Sequence, residues 1–130
     1  MAKVMMPRYD LCDAGGVLVE DFYFDTEVIG KQAEGNKVLI LKDGRMCFER
    51  GFKWDFGTGA VDTPAVILAS LVHDGLCNLI EDTKLPAAYR KRADKEYKRV
   101  LKMGGMGWLR RQWQYHGIRL YVRLLKPIFG

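Results

Sequence analysis

The spacing of apolar residues changes near the middle of this chain, and the change predicts two kinds of structure. Up to about residue 60 the apolar residues fall in short runs: Val17-Leu18-Val19, Phe22-Tyr23-Phe24, then Lys37 to Leu41 followed by Arg45 to Glu49. Runs of that length bounded by turn residues predict strands. Asp43-Gly44 between the last two predicts a hairpin with both turn residues at positive φ. From about residue 61 the period lengthens to that of a helix. Thr63 as N-cap and Pro64 at the first helical position predict a helix to about Ile80. Pro86 opens a second that ends at Gly104-Gly105, and Trp108 opens a third that Pro127 closes. Strands followed by helices give the α+β class, here a small N-terminal antiparallel sheet followed by three helices. Without a repeat, low-complexity tract or linker in the sequence, residues 1–130 are expected to form one domain, mainly strands and a glycine loop over 1–60 and mainly helices over 61–130.

The helical faces place two polar residues at a common seam. On the first helix Ala65, Ala69, Val72, Leu76 and Ile80 recur at helical spacing, with His73 at the edge of the stripe. On the second, Tyr89, Ala93, Tyr97 and Val100 form the inner stripe, and Asp94 lies about 100° round from Ala93. Packing through these faces brings Asp94 within hydrogen-bond reach of His73, where a carboxylate sets the tautomer and orientation of the imidazole. On the third helix Leu109, Trp113, Leu120 and Leu124 form one stripe, opposite Arg119, Arg123 and Lys126. That division fits an interfacial helix on an anionic membrane, and equally a helix packed on a core with its cations in water.

Charge sharpens the division. Residues 1–83 carry eight Lys and Arg against fourteen Asp and Glu, while residues 84–130 carry thirteen against two, so a net −6 is followed by a net +11. A basic half of this kind suits an anionic partner, a membrane surface or, less favoured, nucleic acid; it also suits packing against the acidic half of the same chain. No helix-turn-helix, zinc-finger or other nucleic-acid signature accompanies it. Three cysteines, Cys12, Cys47 and Cys77, without C-x-x-C spacing, argue against a disulfide framework and a structural zinc site. The first ten residues lack a signal-peptide h-region, and no run reads as the roughly 18 apolar residues of a membrane span. The expectation is a chain that is neither secreted by a signal peptide nor transmembrane.

Which chemistry could His73 serve? Ser70, the only serine, and Cys77 lie three and four residues from it on the same helix, a poor arrangement for a nucleophile and its base, with no oxyanion donors evident. The two histidines, His73 and His116, are not spaced as a helical zinc pair. An oxygen-ligated cation remains. Asp74 supplies a carboxylate, and the loop Trp54 to Ala60, through Gly57 and Gly59, could supply the backbone carbonyls that calcium prefers. His73 would then activate a water against an ester carbonyl. In the opposing reading His73 and Asp94 form a packed polar network and Asp74 faces solvent.

A resemblance bears on that choice. Gly51 to Thr58, Pro64, the stretch Ala69 to Leu76 containing His73-Asp74-Gly75-Leu76, then Arg92-Ala93-Asp94 and Tyr115 to Arg119, resemble over roughly residues 48–120 a family of small proteins encoded mostly by tailed bacteriophages and prophages. That family carries G-F-x-T-D-x-A-S-V-P, H-D-x-L-Y and A-D-x-x-F blocks. The same order is similar to secreted and parvoviral sn-2 phospholipases. The resemblance implies a phospholipase-like helical pair in which His73 is the base, Asp94 its orienter, Asp74 a calcium ligand, and Gly57 and Gly59 the carbonyl donors. It also implies a virion or host-cytoplasm setting with other phage virion proteins as partners. The chain departs from the pattern at Cys77, where both groups have Tyr, and at Trp54 and Gly59, which replace the phage family's Thr and Val. The phospholipase disulfides are absent too. Two further readings stand beside the hydrolase: an inactive tail, baseplate or neck subunit, and an effector that binds a host protein or nucleic acid through its basic half.

Overall fold

The computed structural model describes residues 6–12, 15–56 and 64–103. Seven strands precede two helices: β1 (Tyr9–Cys12), β2 (Gly15–Leu18), β3 (Phe22–Asp25), β4 (Ala33–Glu34), β5 (Val38–Ile40), β6 (Arg45–Phe48), β7 (Lys53–Asp55), α1 (Pro64–Glu81) and α2 (Arg90–Met103). The class is α+β, with two antiparallel sheets where one was expected. β1-β2-β7 form a three-stranded sheet and β3-β6-β5-β4 a four-stranded one. The described residues contain two α-helices, with a 3-10 turn at Ala87–Tyr89 leading into the second. The predicted third, from Trp108 to Pro127, lies outside them with Arg119, Arg123 and Lys126, as do Thr63, Gly57 and Gly59.

Alternation sets the inner face of the larger sheet. Phe22 and Phe24 stand opposite Phe48 and Met46, which in turn face Val38 and Ile40, and all six are buried. Between them Tyr23, Cys47 and Leu39 share the outer face. α1 crosses the inner face at Gly75, where an added Cβ would lie 2.5 Å from a Phe48 ring carbon. A glycine inside a helix costs up to about 1 kcal/mol in propensity, and the close approach of ring to backbone is what it permits here. The smaller sheet is tied to α1 by Trp54, whose buried indole N–H donates to the Ile67 carbonyl at 3.2 Å. One continuous apolar core runs through both sheets and both helices.

Two details depart from the sequence reading. The β5–β6 connection is not a two-residue turn: Gly44 N–H donates to Leu41 O and Leu41 N–H to Arg45 O, both at 2.9 Å, and of Asp43 and Gly44 only the glycine has positive φ, +94°. Asp43 instead accepts the Arg45 N–H at 3.0 Å through its side chain. An extra residue in the loop replaces a two-residue turn with both positions at positive φ by a turn followed by a left-handed glycine. Gly44→Ala would place its Cβ 2.3 Å from the Thr26 carbonyl oxygen as well as at that φ. It is expected to cost about 2–3 kcal/mol, read as a lower urea midpoint with unchanged slope.

Second, α1 is buried nearly all round rather than along one stripe: fourteen of its eighteen residues are inside. It is therefore long and apolar enough to cross a membrane by length and composition, against the expectation that no run would be. The two sheets and α2 account for that apolarity by packing against it. The helix ends on Thr83 at φ 59°, with Thr83 N–H donating to Ile80 O and Lys84 N–H to Leu79 O, a paired C-terminal cap usually built on glycine.

Candidate functional site

α2 lies along α1 through Ala93, Tyr97, Val100 and Leu101, all buried. That packing aligns the two polar residues expected at the seam. His73 Nε2–H donates to Asp94 Oδ1 at 2.7 Å, and the residues are only 7% and 2% exposed. The Tyr97 ring stands edge-on to the imidazole with 5.8 Å between centroids. Cys77 Sγ lies 3.7 Å from His73 Nδ1 and 3.8 Å from Nε2. A sulfur nearly equidistant from both nitrogens lines up with neither N–H direction, so Cys77 covers the imidazole rather than exchanging a proton with it. Arg90 Nη1–H donates to the same sulfur at 3.7 Å.

The charge state follows from these neighbours. Burial opposes the imidazolium, but the negative charge available at Cys77, the Asp94 hydrogen bond, the Cys77 contact and the Asp74 carboxylate outweigh it. Together they raise the His73 pKa from 6.5 to about 10. At neutral pH the group is a buried imidazolium facing a carboxylate, and an imidazolium has no lone pair with which to take a proton from water.

The remaining site residues are distributed as follows. Asp74 is half-buried on the next position of α1, and its Oδ2 accepts the Asp55 backbone N–H at 2.9 Å, so it faces the end of β7. Gly57 and Gly59, the expected carbonyl donors, lie outside the described residues. Among the described residues no three His, Cys, Asp or Glu side chains converge as a metal set. Calcium takes six to eight oxygens, and among the described residues of the expected set Asp74 supplies one carboxylate, which by itself does not make a calcium site. Ser70 Oγ–H is spent inside its own helix, on the Val66 carbonyl at 2.7 Å and that of Ile67 at 3.1 Å.

Sequence reasoning missed two features. Glu96 is buried, accepts from Arg99 Nε at 2.9 Å and from Arg99 Nη2, and receives the Glu27 N–H at 3.4 Å on each oxygen. It pins α2 to the loop after β3. The signal was an acid on the inward side of a basic helix, three residues before an arginine. The other is a cavity of about 270 Å³ on the outer face of the larger sheet, floored by Tyr23, Leu39 and Cys47 and rimmed by Asp21, Glu34 and Glu49. His73 and Asp94 do not line it. No family model, curated protein or solved structure matches the chain.

Proposed function

We propose that this chain is a phage virion- or assembly-associated protein that works by binding, with His73 and Asp94 as a buried clamp between its helices rather than as catalytic groups. The observation that carries this reading is the enclosure of the pair: both residues are more than nine-tenths withdrawn from solvent at a separation of 2.7 Å. A general base must reach its water within about 3 Å, and here Tyr97 and Cys77 occupy the space beside the imidazole. The phage setting, in a virion or host cytoplasm among other virion proteins, comes from the order of the blocks at 51–58, 73–76 and 92–94.

The placement of Asp74 favours a second reading, a calcium-assisted lipid ester hydrolase with a phospholipase-like helical pair. Its bond to the Asp55 N–H turns the carboxylate toward the chain that leads into Gly57 and Gly59. In that reading His73 is the base, Asp94 orients it, and Asp74 with the glycine carbonyls holds the cation. Purified protein incubated with phospholipid vesicles separates the two. The clamp predicts no fatty-acid release with calcium or with EDTA. Release that requires calcium, and that a folded His73→Gln variant loses, would overturn the clamp and establish the hydrolase.

A further inference from the structure

The cavity on the outer face of the larger sheet has an apolar floor with acids at both ends. Tyr23, Cys47, Leu39 and Glu34 are successive cross-strand partners, so they form one row across β3, β6, β5 and β4. At a strand spacing of about 4.8 Å the row is roughly 14 Å long. Its first three members make the floor and Glu34 closes the β4 end. Asp21 and Glu49 lie two residues along from Tyr23 and Cys47, on the same face, and close the β3–β6 end. The volume of about 270 Å³ has room for about nine groups of the size of water at roughly 30 Å³ each. Among the described residues no Lys or Arg lines the cavity, and no ion pair engages Glu34 or Glu49. Asp21 accepts the Arg50 backbone N–H at 2.8 Å, a bond that orients its carboxylate without neutralising it. Lys37, whose carbonyl accepts the Glu49 N–H, sets its ammonium against Gly51, where an added Cβ would lie 3.6 Å from Nζ.

From this arrangement we infer that the cavity binds a linear aliphatic polyamine, a chain of methylenes with an ammonium group at each end. The methylenes lie over Leu39, Cys47 and the Tyr23 ring, while one terminal ammonium meets Glu34 and the other meets Asp21 and Glu49. Tyr23 is 56% exposed, so its ring is open to be covered by the chain and to attract an ammonium over its face. A divalent metal ion fits less well, because its oxygens must close to within about 2.0–2.6 Å of one point and these carboxylates stand at opposite ends of the floor. A single lysine side chain from a partner fits less well too, since one ammonium satisfies one end and leaves the other unmet. The inference goes beyond the clamp reading and holds whether or not His73 is catalytic.

The test uses spermidine and the full chain at low salt. Equilibrium dialysis against labelled spermidine gives the affinity, and alkylation by iodoacetamide followed by mass spectrometry gives the place. Bound spermidine should slow the alkylation of Cys47 on the floor and leave that of Cys12, half-buried on β1, unchanged. Glu34→Gln and Glu49→Gln should each weaken binding about two- to fivefold, the range of one exposed ion pair, and the double variant by about the product. Asp10→Asn, at an exposed acid of β1, should leave the affinity as it is. Butylamine, with one ammonium, should bind more weakly than spermidine by a similar factor. Both glutamates are exposed, and thermal melting checks that the Gln variants fold; the protection of Cys47 in the wild-type chain does not depend on them. Spermidine that does not bind, that leaves Cys47 unprotected, or that binds the folded double variant as tightly as the wild type overturns the inference. So does butylamine binding as tightly as spermidine, or a tetralysine peptide that protects Cys47 where spermidine does not.

Discussion

Asp94→Ala is expected to remove about 3–5 kcal/mol of stability at pH 7, because it leaves the His73 imidazolium buried without its counter-charge. The magnitude comes from asymmetry rather than from the worth of the pair. An exposed ion pair contributes about 1 kcal/mol or less, whereas one partner of a buried pair left alone keeps the full desolvation cost. His73 and Asp94 are 7% and 2% exposed, which places them in the second regime. His73→Ala leaves the opposite charge behind and should be costly for the same reason. The double variant His73→Ala/Asp94→Ala removes both charges, so its cost should fall short of the sum of the singles by more than about 1 kcal/mol. Urea titrations of the four proteins give that coupling directly. Strict additivity would mean the two groups do not act on each other and that the clamp is not one.

The meeting of His73 and Asp94 was legible in the sequence because it depended only on helical period and on two apolar faces that had to be buried. Their enclosure was not. His73 was read as a boundary residue from an apolar stripe, but α1 is covered on all sides by two sheets and α2, and helical period cannot reveal how many layers surround a helix. β3, β5 and β6 were legible as apolar runs. β1 and β4 were not, for reasons visible in their residues. Ala33-Glu34 is too short to show alternation, and Tyr9–Cys12 pairs on one side only, leaving Leu11 exposed. At β7 the signal was present but given to the glycine loop that was read from Trp54: Phe52, Trp54 and Phe56 alternate with Lys53 and Asp55, and all three aromatic residues are buried. The C-terminal cap of α1 was hidden, since Thr83 gives none of the glycine or asparagine signal of a left-handed position. The charge asymmetry was read as one feature of the basic half. The structure divides it within α2, where Arg90, Arg92 and Arg99 bond protein groups while Lys91, Lys95 and Lys102 are exposed.

A pH titration of stability should show the clamp's charge. The folded His73 pKa is raised to about 10 from 6.5, against the pull of burial, by the negative charge available at Cys77, the Asp94 hydrogen bond, the Cys77 contact and the Asp74 carboxylate. A pKa higher in the folded state means that the folded chain binds the proton more tightly. The resulting stabilisation is full below pH 6.5 and is lost as pH rises through about 10. Over that window wild-type stability should fall by on the order of 3–5 kcal/mol more than that of His73→Gln, which cannot titrate there. Taking the difference between the two proteins removes the contribution of other groups that lose protons in the same range. Asp94→Asn, which keeps the shape but withdraws the carboxylate charge, should narrow the window from its upper end, because the imidazolium then gives up its proton at lower pH. A difference curve that stays flat from pH 6.5 to 10 would mean that His73 is neutral in the folded chain. The imidazole would then be free to act as a base, and the balance would move from clamp to hydrolase.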